Sequence, residues 1–212
     1  MDFLDEIKAV SREVGQQNLP EGPARTVVLR RSYAAPRDDV WSALTDPERV
    51  SRWFLPISGD LRVGGLYQLE GNAGGRILRC EPPALIVVTW IFGADIETTT
   101  GSEVHITLTP EPDGGTELTL RHIAVVEPER WAEYGPGATG VGWDLALLGL
   151  GVHLAGGEIE NPEEWERSPE AREVMVTSAE SWGAAQRASG EDPDAVAASV
   201  ANVIAFYSGT EG

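Results

Sequence analysis

Cysteine and lysine are almost missing from this chain, each occurring once in 212 residues, as Cys80 and Lys8. A single thiol excludes an intramolecular disulfide framework, and no CxxC pair or Cys/His cluster offers a structural zinc site. The three histidines, His105, His122 and His153, form no HExxH and no helical pair at ligand spacing, so no metal is expected. Apolar runs fall short of the roughly 18 residues a membrane span needs, so no membrane insertion is expected. The N-terminal MDFLDEIKAV carries acids where a signal peptide carries a basic leader, which points to a cytoplasmic protein. Positive charge is scarce as well: 16 basic against 34 acidic residues leave a net charge of −18. Such a field repels phosphate backbones, and the runs at Arg30-Arg31 and Arg49 to Arg52 are too short to overcome it. No nucleic acid is expected as a partner.

What the chain has is one long apolar segment, Gly137 to Ala155. At about 100° per residue, Val141, Leu145, Leu148 and Val152 make one stripe. Trp143, Leu147, Leu150 and Leu154 make a second on roughly the opposite side. A surface helix needs one stripe, so both faces of this one must be covered. Asp144, at an edge between the stripes, is its only formal charge. Gly149 and Gly151 each cost about 1 kcal/mol against Ala in a helix interior. Their presence implies that another surface, or a cavity, lies close to the backbone.

Apolar spacing at Phe3, Leu4, Ile7, Val10 and Val14 predicts an amphipathic helix over residues 2–14, and GQQNLPEGP (15–23) reads as a connector. Thr26 to Ala34 reads as a strand with Val27, Leu29 and Tyr33 on one face. Two short helices follow, opened by Pro36 and by the Asp46-Pro47 cap. Strands are then expected at 66–70, 76–80, 85–92, 103–109 and 116–123, with Asp113-Gly114-Gly115 turning the last hairpin. In the tail, Asn161-Pro162 with Glu164 has capping-box spacing, and Ser168-Pro169 and Asp192-Pro193 announce two further helices.

Four segments, APRDDVWSALTDPERVSRWF (35–54), DLRVGGLYQL (60–69), GRILRCEPPALIVVTW (75–90) and GVGWDLALLGLGVHL (140–154), resemble the START-like (SRPBCC, helix-grip) superfamily. Within it they are most similar to the branch related to the C-terminal domain of the Hsp90 ATPase activator. The resemblance implies an α+β helix-grip fold: a curved antiparallel sheet around a long C-terminal helix, with an apolar cavity between them. It divides the chain into residues 1–24 (N-terminal helix and linker), 25–155 (START-like domain) and 156–212 (helical extension packed on the domain). The superfamily includes lipid carriers, hormone receptors, aromatic cyclases and chaperone partners, so the fold alone does not settle the function.

Residue chemistry narrows the choice only in part. GPGATG (135–140) matches GxGxxG, but no buried strand of a βαβ unit precedes it, so it reads as a glycine-rich entry to the helix. His122 shares a face with Leu118 and Leu120 and is expected to look into the cavity; His105 belongs to the solvated side. Glu70, Asp95 and Glu97 could meet at a cavity mouth, and Cys80 reads as a buried, unreactive thiol. Neither a nucleophile elbow nor any other catalytic constellation is legible. The expected function is therefore non-catalytic binding of a small apolar or aromatic molecule, without a cofactor. Trp53, Trp90 and Trp143 are its expected walls, with Tyr67 and His122 as polar contacts. The alternatives are a chaperone-associated interaction module and an aromatase/cyclase-type enzyme, and a homodimer is compatible with each.

Overall fold

Eight antiparallel strands form one sheet in the order β1-β2-β8-β7-β6-β5-β4-β3. The computed structural model describes residues 2–209. The strands are β1 (Ser11–Leu19), β2 (Gly22–Tyr33), β3 (Ile57–Gly59), β4 (Leu66–Leu69), β5 (Gly74–Glu81), β6 (Leu85–Thr89), β7 (Ser102–Pro110) and β8 (Thr116–Ala124). Between β2 and β3 lie α2 (Arg37–Thr45) and α3 (Pro47–Trp53). The sheet is followed by α4 (Pro128–Tyr134) and the long α5 (Gly137–Leu154), then by α6 (Pro162–Glu166), α7 (Pro169–Ala188) and α8 (Pro193–Tyr207). This is the α+β helix-grip architecture, with α5 gripped against the inner face of the sheet.

The N-terminus departs from expectation. The predicted helix over 2–14 stops at Lys8 as α1 (Phe3–Lys8), and the chain then turns into β1. The supposed connector at 15–23 is the end of that strand plus a tight turn, since Leu19 pairs with Gly22 and Gly22 has φ 140°. The misreading has a physical source. Val10 and Val14 also fit a two-residue period, and both pack with the main core on the inner side of β1. Short β3 went unrecognised because three residues carry no periodicity.

Caps were read more securely. Asp46 accepts from the Glu48 amide at 2.9 Å, Ser168 from Ala171 at 3.0 Å, and Asp192 from Asp194 and Ala195. Asn161 does not cap: its side chain makes no cap hydrogen bond and its backbone sits at φ 50°. The Asp113-Gly114-Gly115 turn closes β7 onto β8, with Gly114 at φ 90°.

The two stripes of α5 are covered by different things. Leu148 is fully buried with Ile7 of α1 and Val174 of α7, and Phe3, Leu145 and Trp165 pack around them. Trp143 and Leu147 face the sheet. The tail therefore covers the face of α5 turned away from the sheet; it is not a lid over the space between sheet and helix.

Candidate functional site

Between α5 and the inner face of the sheet lies a cavity of about 410 Å³. Its floor is the inward row of the central strands: Val88 on β6 with Trp90 just beyond its end, Val104 and Ile106 on β7, Leu118 and Leu120 on β8. These positions share a face because strand side chains alternate, and the register pairs Val88 with Val104 and Ile106 with Leu120. Trp143, Ala146 and Leu147 of α5 form the opposite wall, and Val50, Trp53 and Phe54 at the end of α3 close one side. The rim carries Leu61, Arg62 and Val63 from the β3–β4 loop, Cys80 from the end of β5 and Pro82 from the β5–β6 turn. Leu61 and Val63 are 40% and 57% exposed, an apolar border on an otherwise acidic surface.

Four of the five residues expected from sequence meet here: Trp53, Tyr67, Trp90 and Trp143 all line the cavity. Their rings form one cluster with Phe54. Trp53 stacks on Phe54 at 5.4 Å, Phe54 on Trp90 at 6.5 Å, and Trp90 lies 4.7 Å from Trp143. The fifth, His122, is on the expected face but does not line this cavity. It sits behind Trp143, whose Nε1 donates to His122 Nδ1 at 3.1 Å. An indole can only donate, so Nδ1 is the acceptor, and Nε2 carries the proton and donates to Ser102 Oγ at 2.9 Å. Burial lowers the His122 pKa to about 4. The residue thus holds Trp143 in place as a neutral imidazole.

The other polar groups of the wall are also committed. Tyr67 donates its hydroxyl to the Thr89 carbonyl at 2.7 Å, and burial raises its pKa. Trp53 Nε1 donates to the Ala43 carbonyl at 2.9 Å. Arg62, the one formal charge among the lining residues, is paired with Asp60 at 2.8 Å on the rim. No carboxylate or histidine lines the cavity among the described residues. Glu70, Asp95 and Glu97 are exposed and do not converge there; Asp95 instead caps its own turn, accepting from the Glu97 amide and Thr98 hydroxyl. Cys80 is exposed, not buried as expected, because its strand position borders the open rim. Partial burial nonetheless raises its thiol pKa.

The far side of α5 is built differently. Asp144 is fully buried and its carboxylate receives both Nε and Nη2 of Arg12 at 3.0 Å. Ser178 also donates to it, as does Trp182 Nε1 at 2.9 Å. Burial pushes this carboxyl up, against the pull of Arg12, Ser178 and Trp182. Arg31, buried on the inner face of β2, donates to the Leu147 carbonyl at 2.9 Å, pairs with Glu6 and lies over the Tyr33 ring. Tyr33 donates to the same carbonyl at 2.9 Å. Glycines of α5 mark close approaches on both sides of the helix. A Cβ on Gly151 would meet Arg31 Nη2 at 2.5 Å, on Gly149 the Trp53 carbonyl at 2.8 Å, and on Gly140 the Trp182 ring at 2.2 Å. None of Arg12, Arg31 or Trp182 stood out in the sequence. The usable signal was indirect: one acid and several glycines inside an apolar helix.

No sequence among curated proteins matches the chain. Among solved structures, CalU16 from Micromonospora echinospora is 38% identical; its crystal structure superposes with a TM-score of 0.67 over 84% of this chain and 99% of that one. DynU16, a protein of the dynemicin biosynthetic locus, is 25% identical, with a TM-score of 0.55 over 63% of this chain and 48% of that one. An Hsp90 activator from Plasmodium falciparum, PFC0360w, shares the fold at 24% identity, with a TM-score of 0.52 over 62% of this chain and 96% of that one. The family model described as Activator of Hsp90 ATPase homolog 1-like protein matches residues 34–155, more than half of the chain. With β2 to α5 arranged as this fold requires, the chain belongs to the Activator of Hsp90 ATPase homolog 1-like family.

Proposed function

We propose that this protein binds a small apolar or aromatic molecule in the cavity between sheet and α5, without catalysing a reaction. One observation carries the reading: a space of about 410 Å³ is lined almost entirely by apolar and aromatic side chains in a protein whose opposite helix face is packed shut. Cores normally close to organic-crystal density, so an unfilled apolar space of this size has the character of a ligand site. The lack of an acid or base on the lining favours binding over an aromatase/cyclase-type reaction. DynU16 comes from a natural-product biosynthetic locus, so natural products of such loci belong in the first ligand screen.

The test is thermal: the protein is heated with lipids, aromatic metabolites and such natural products. A ligand at about a hundredfold its dissociation constant should add roughly 2.7 kcal/mol, a rise in Tm of several degrees. No rise with any compound, together with no co-purifying small molecule by native mass spectrometry, would sink the proposal. The family name and the Plasmodium relative favour a second reading, a chaperone-associated interaction module. Its test is affinity capture with an Hsp90-type chaperone as bait, and no stoichiometric complex would dispose of it. A homodimer can accompany either function, and light scattering at working concentration decides it.

A further inference from the structure

Indole N–H groups in a protein interior are ordinarily satisfied, because an unpaired buried donor forfeits its hydrogen bond to water. Of the three tryptophans on the cavity wall, Trp53 donates to a backbone carbonyl and Trp143 to His122. Among the described residues, none accepts a hydrogen bond from the Trp90 indole Nε1–H. Its position is not peripheral. It continues the inward row of β6, its amide pairs with the Ser102 carbonyl at 2.9 Å, and its ring lies among Phe54, Tyr67 and Trp143. Among the described residues, the side-chain nitrogen and oxygen atoms that are both sealed and unpartnered are Arg121 Nε and Ser208 Oγ. The Trp90 nitrogen therefore has no partner within the described protein and is not sealed: it stays open to solvent or to a bound molecule, on a residue that lines the cavity.

Three further constraints apply to whatever fills the space. The only formal charge on the lining, Arg62, is a rim residue already paired with Asp60. An ionised ligand group deep in the cavity would thus lack a counter-charge and cost several kcal/mol. The wall has a stacked character: Trp53 and Phe54 lie 22° apart and Phe54 and Trp90 24° apart, so each ring is only slightly turned from the next. Finally, the Tyr67 and Thr45 hydroxyls already donate to the Thr89 and Trp41 carbonyls, so away from the Arg62 and Cys80 rim the Trp90 N–H is the donor a ligand can claim.

Resting on the cavity-binding reading above, we infer that the ligand is a neutral, flat, ring-fused molecule with a carbonyl-type oxygen, and that Trp90 Nε1–H donates to that oxygen. Trp90 is then the specificity-determining residue of the site, separating an oxygenated ring system from its hydrocarbon counterpart. A pocket that leaves a polar group unpaired discriminates against the analogue that cannot pair with it.

The experiment uses two neutral probes of nearly equal shape, fluorenone and fluorene, in equilibrium dialysis against the wild type and Trp90→Phe. The variant keeps an aromatic ring and removes the N–H. The expected result is that the fluorenone-to-fluorene affinity ratio falls by about fivefold to tenfold in the variant, the size of one hydrogen bond. In the wild type alone, fluorenone should move the Trp90 indole N–H resonance downfield and fluorene should not, a readout independent of how well the variant folds. If both probes bind but the ratio and the resonance are unchanged, the role of Trp90 is refuted while the cavity reading stands. If neither probe binds the wild type, the cavity reading falls and this inference with it. Tighter binding of the N-methylquinolinium cation than of fluorenone would overturn the assignment of a neutral ligand and make the aromatic cluster a cation cage.

Discussion

The two faces of α5 solve opposite problems with the same helix. On the side toward α1 and α7, contact is close and polar groups are matched one by one: Asp144 receives Arg12, Ser178 and Trp182, and Leu148 closes against Ile7 and Val174. On the side toward the sheet, Trp143 and Leu147 stand across an open apolar space. The helical tail that extends past the family's matched region packs against the closed face of α5, and none of its described residues lines the cavity.

That contrast breaks first at Asp144. Replacing it by Asn offers an amide where four donors expect a carboxylate and strands the Arg12 guanidinium, whose side chain is only 5% exposed. The expected loss is about 3–5 kcal/mol, measured by urea unfolding. The double variant Arg12→Met/Asp144→Leu should be clearly less destabilised than Asp144→Asn, because removing both partners leaves no buried charge behind. Equal losses in the two would show that packing, not the ion pair, holds this face.

On the open face, Trp143 is held by His122, which accepts its indole N–H. The folded pKa of His122 lies at about 4, below the ordinary 6.5, because the buried site favours the neutral ring. The stability this contributes is present above pH 6.5 and is lost as pH falls from there through about 4. The full loss is about 3 kcal/mol, at 1.36 kcal/mol for each unit. His122→Gln retains an acceptor for Trp143 and a donor for Ser102 without titrating. The wild type should therefore lose stability faster than the variant in that window, and parallel pH profiles would refute the role assigned to His122.

The stitched face was far less legible in the sequence than the open one. Apolar periodicity reports that a residue is inside but not what it touches, and Trp53, Trp90 and Trp143 could be placed on a cavity wall once the resemblance to the helix-grip fold implied the cavity. Tyr67 and His122 were on the right faces, but the expectation of free polar contacts failed. The groups that engage them, the Thr89 carbonyl for Tyr67 and the Trp143 N–H and Ser102 hydroxyl for His122, come from parts of the chain distant in sequence. Arg12 and Arg31 were invisible for the same reason. A buried arginine looks like any other until its partner is known, and Arg12 lies 132 residues from Asp144. Gly149 and Gly151 did report close approach at the right place, because a glycine inside a helix has a local cost that only a neighbour explains.

Glycine also offers a gentler probe of the closed face. A single methyl group at Gly140 would lie 2.2 Å from the Trp182 ring, which is fully buried and cannot swing aside. Gly140→Ala should therefore destabilise by about 1–3 kcal/mol, although Ala is the better helix former. A gain in stability would mean that the α5–α7 contact is looser than its geometry indicates.

The smallest effect on stability should come from the largest added volume. Ala146→Leu, one and a half turns further along α5, adds three carbons on the cavity side, where there is room for them. Overpacking needs something to push against, and here the new side chain enters space that the wild type leaves unfilled, burying apolar surface as it does so. The expected change in unfolding free energy is within about 1 kcal/mol of zero, of either sign, while probe binding should weaken at least tenfold because the ligand and the new leucine compete for one volume. Ala146→Leu thus separates the site from the scaffold: binding lost at unchanged Tm places the ligand between sheet and α5. A loss of stability comparable to that of Gly140→Ala would instead mean that the sheet side of the helix is as tightly packed as the other, and the contrast between the faces would not hold.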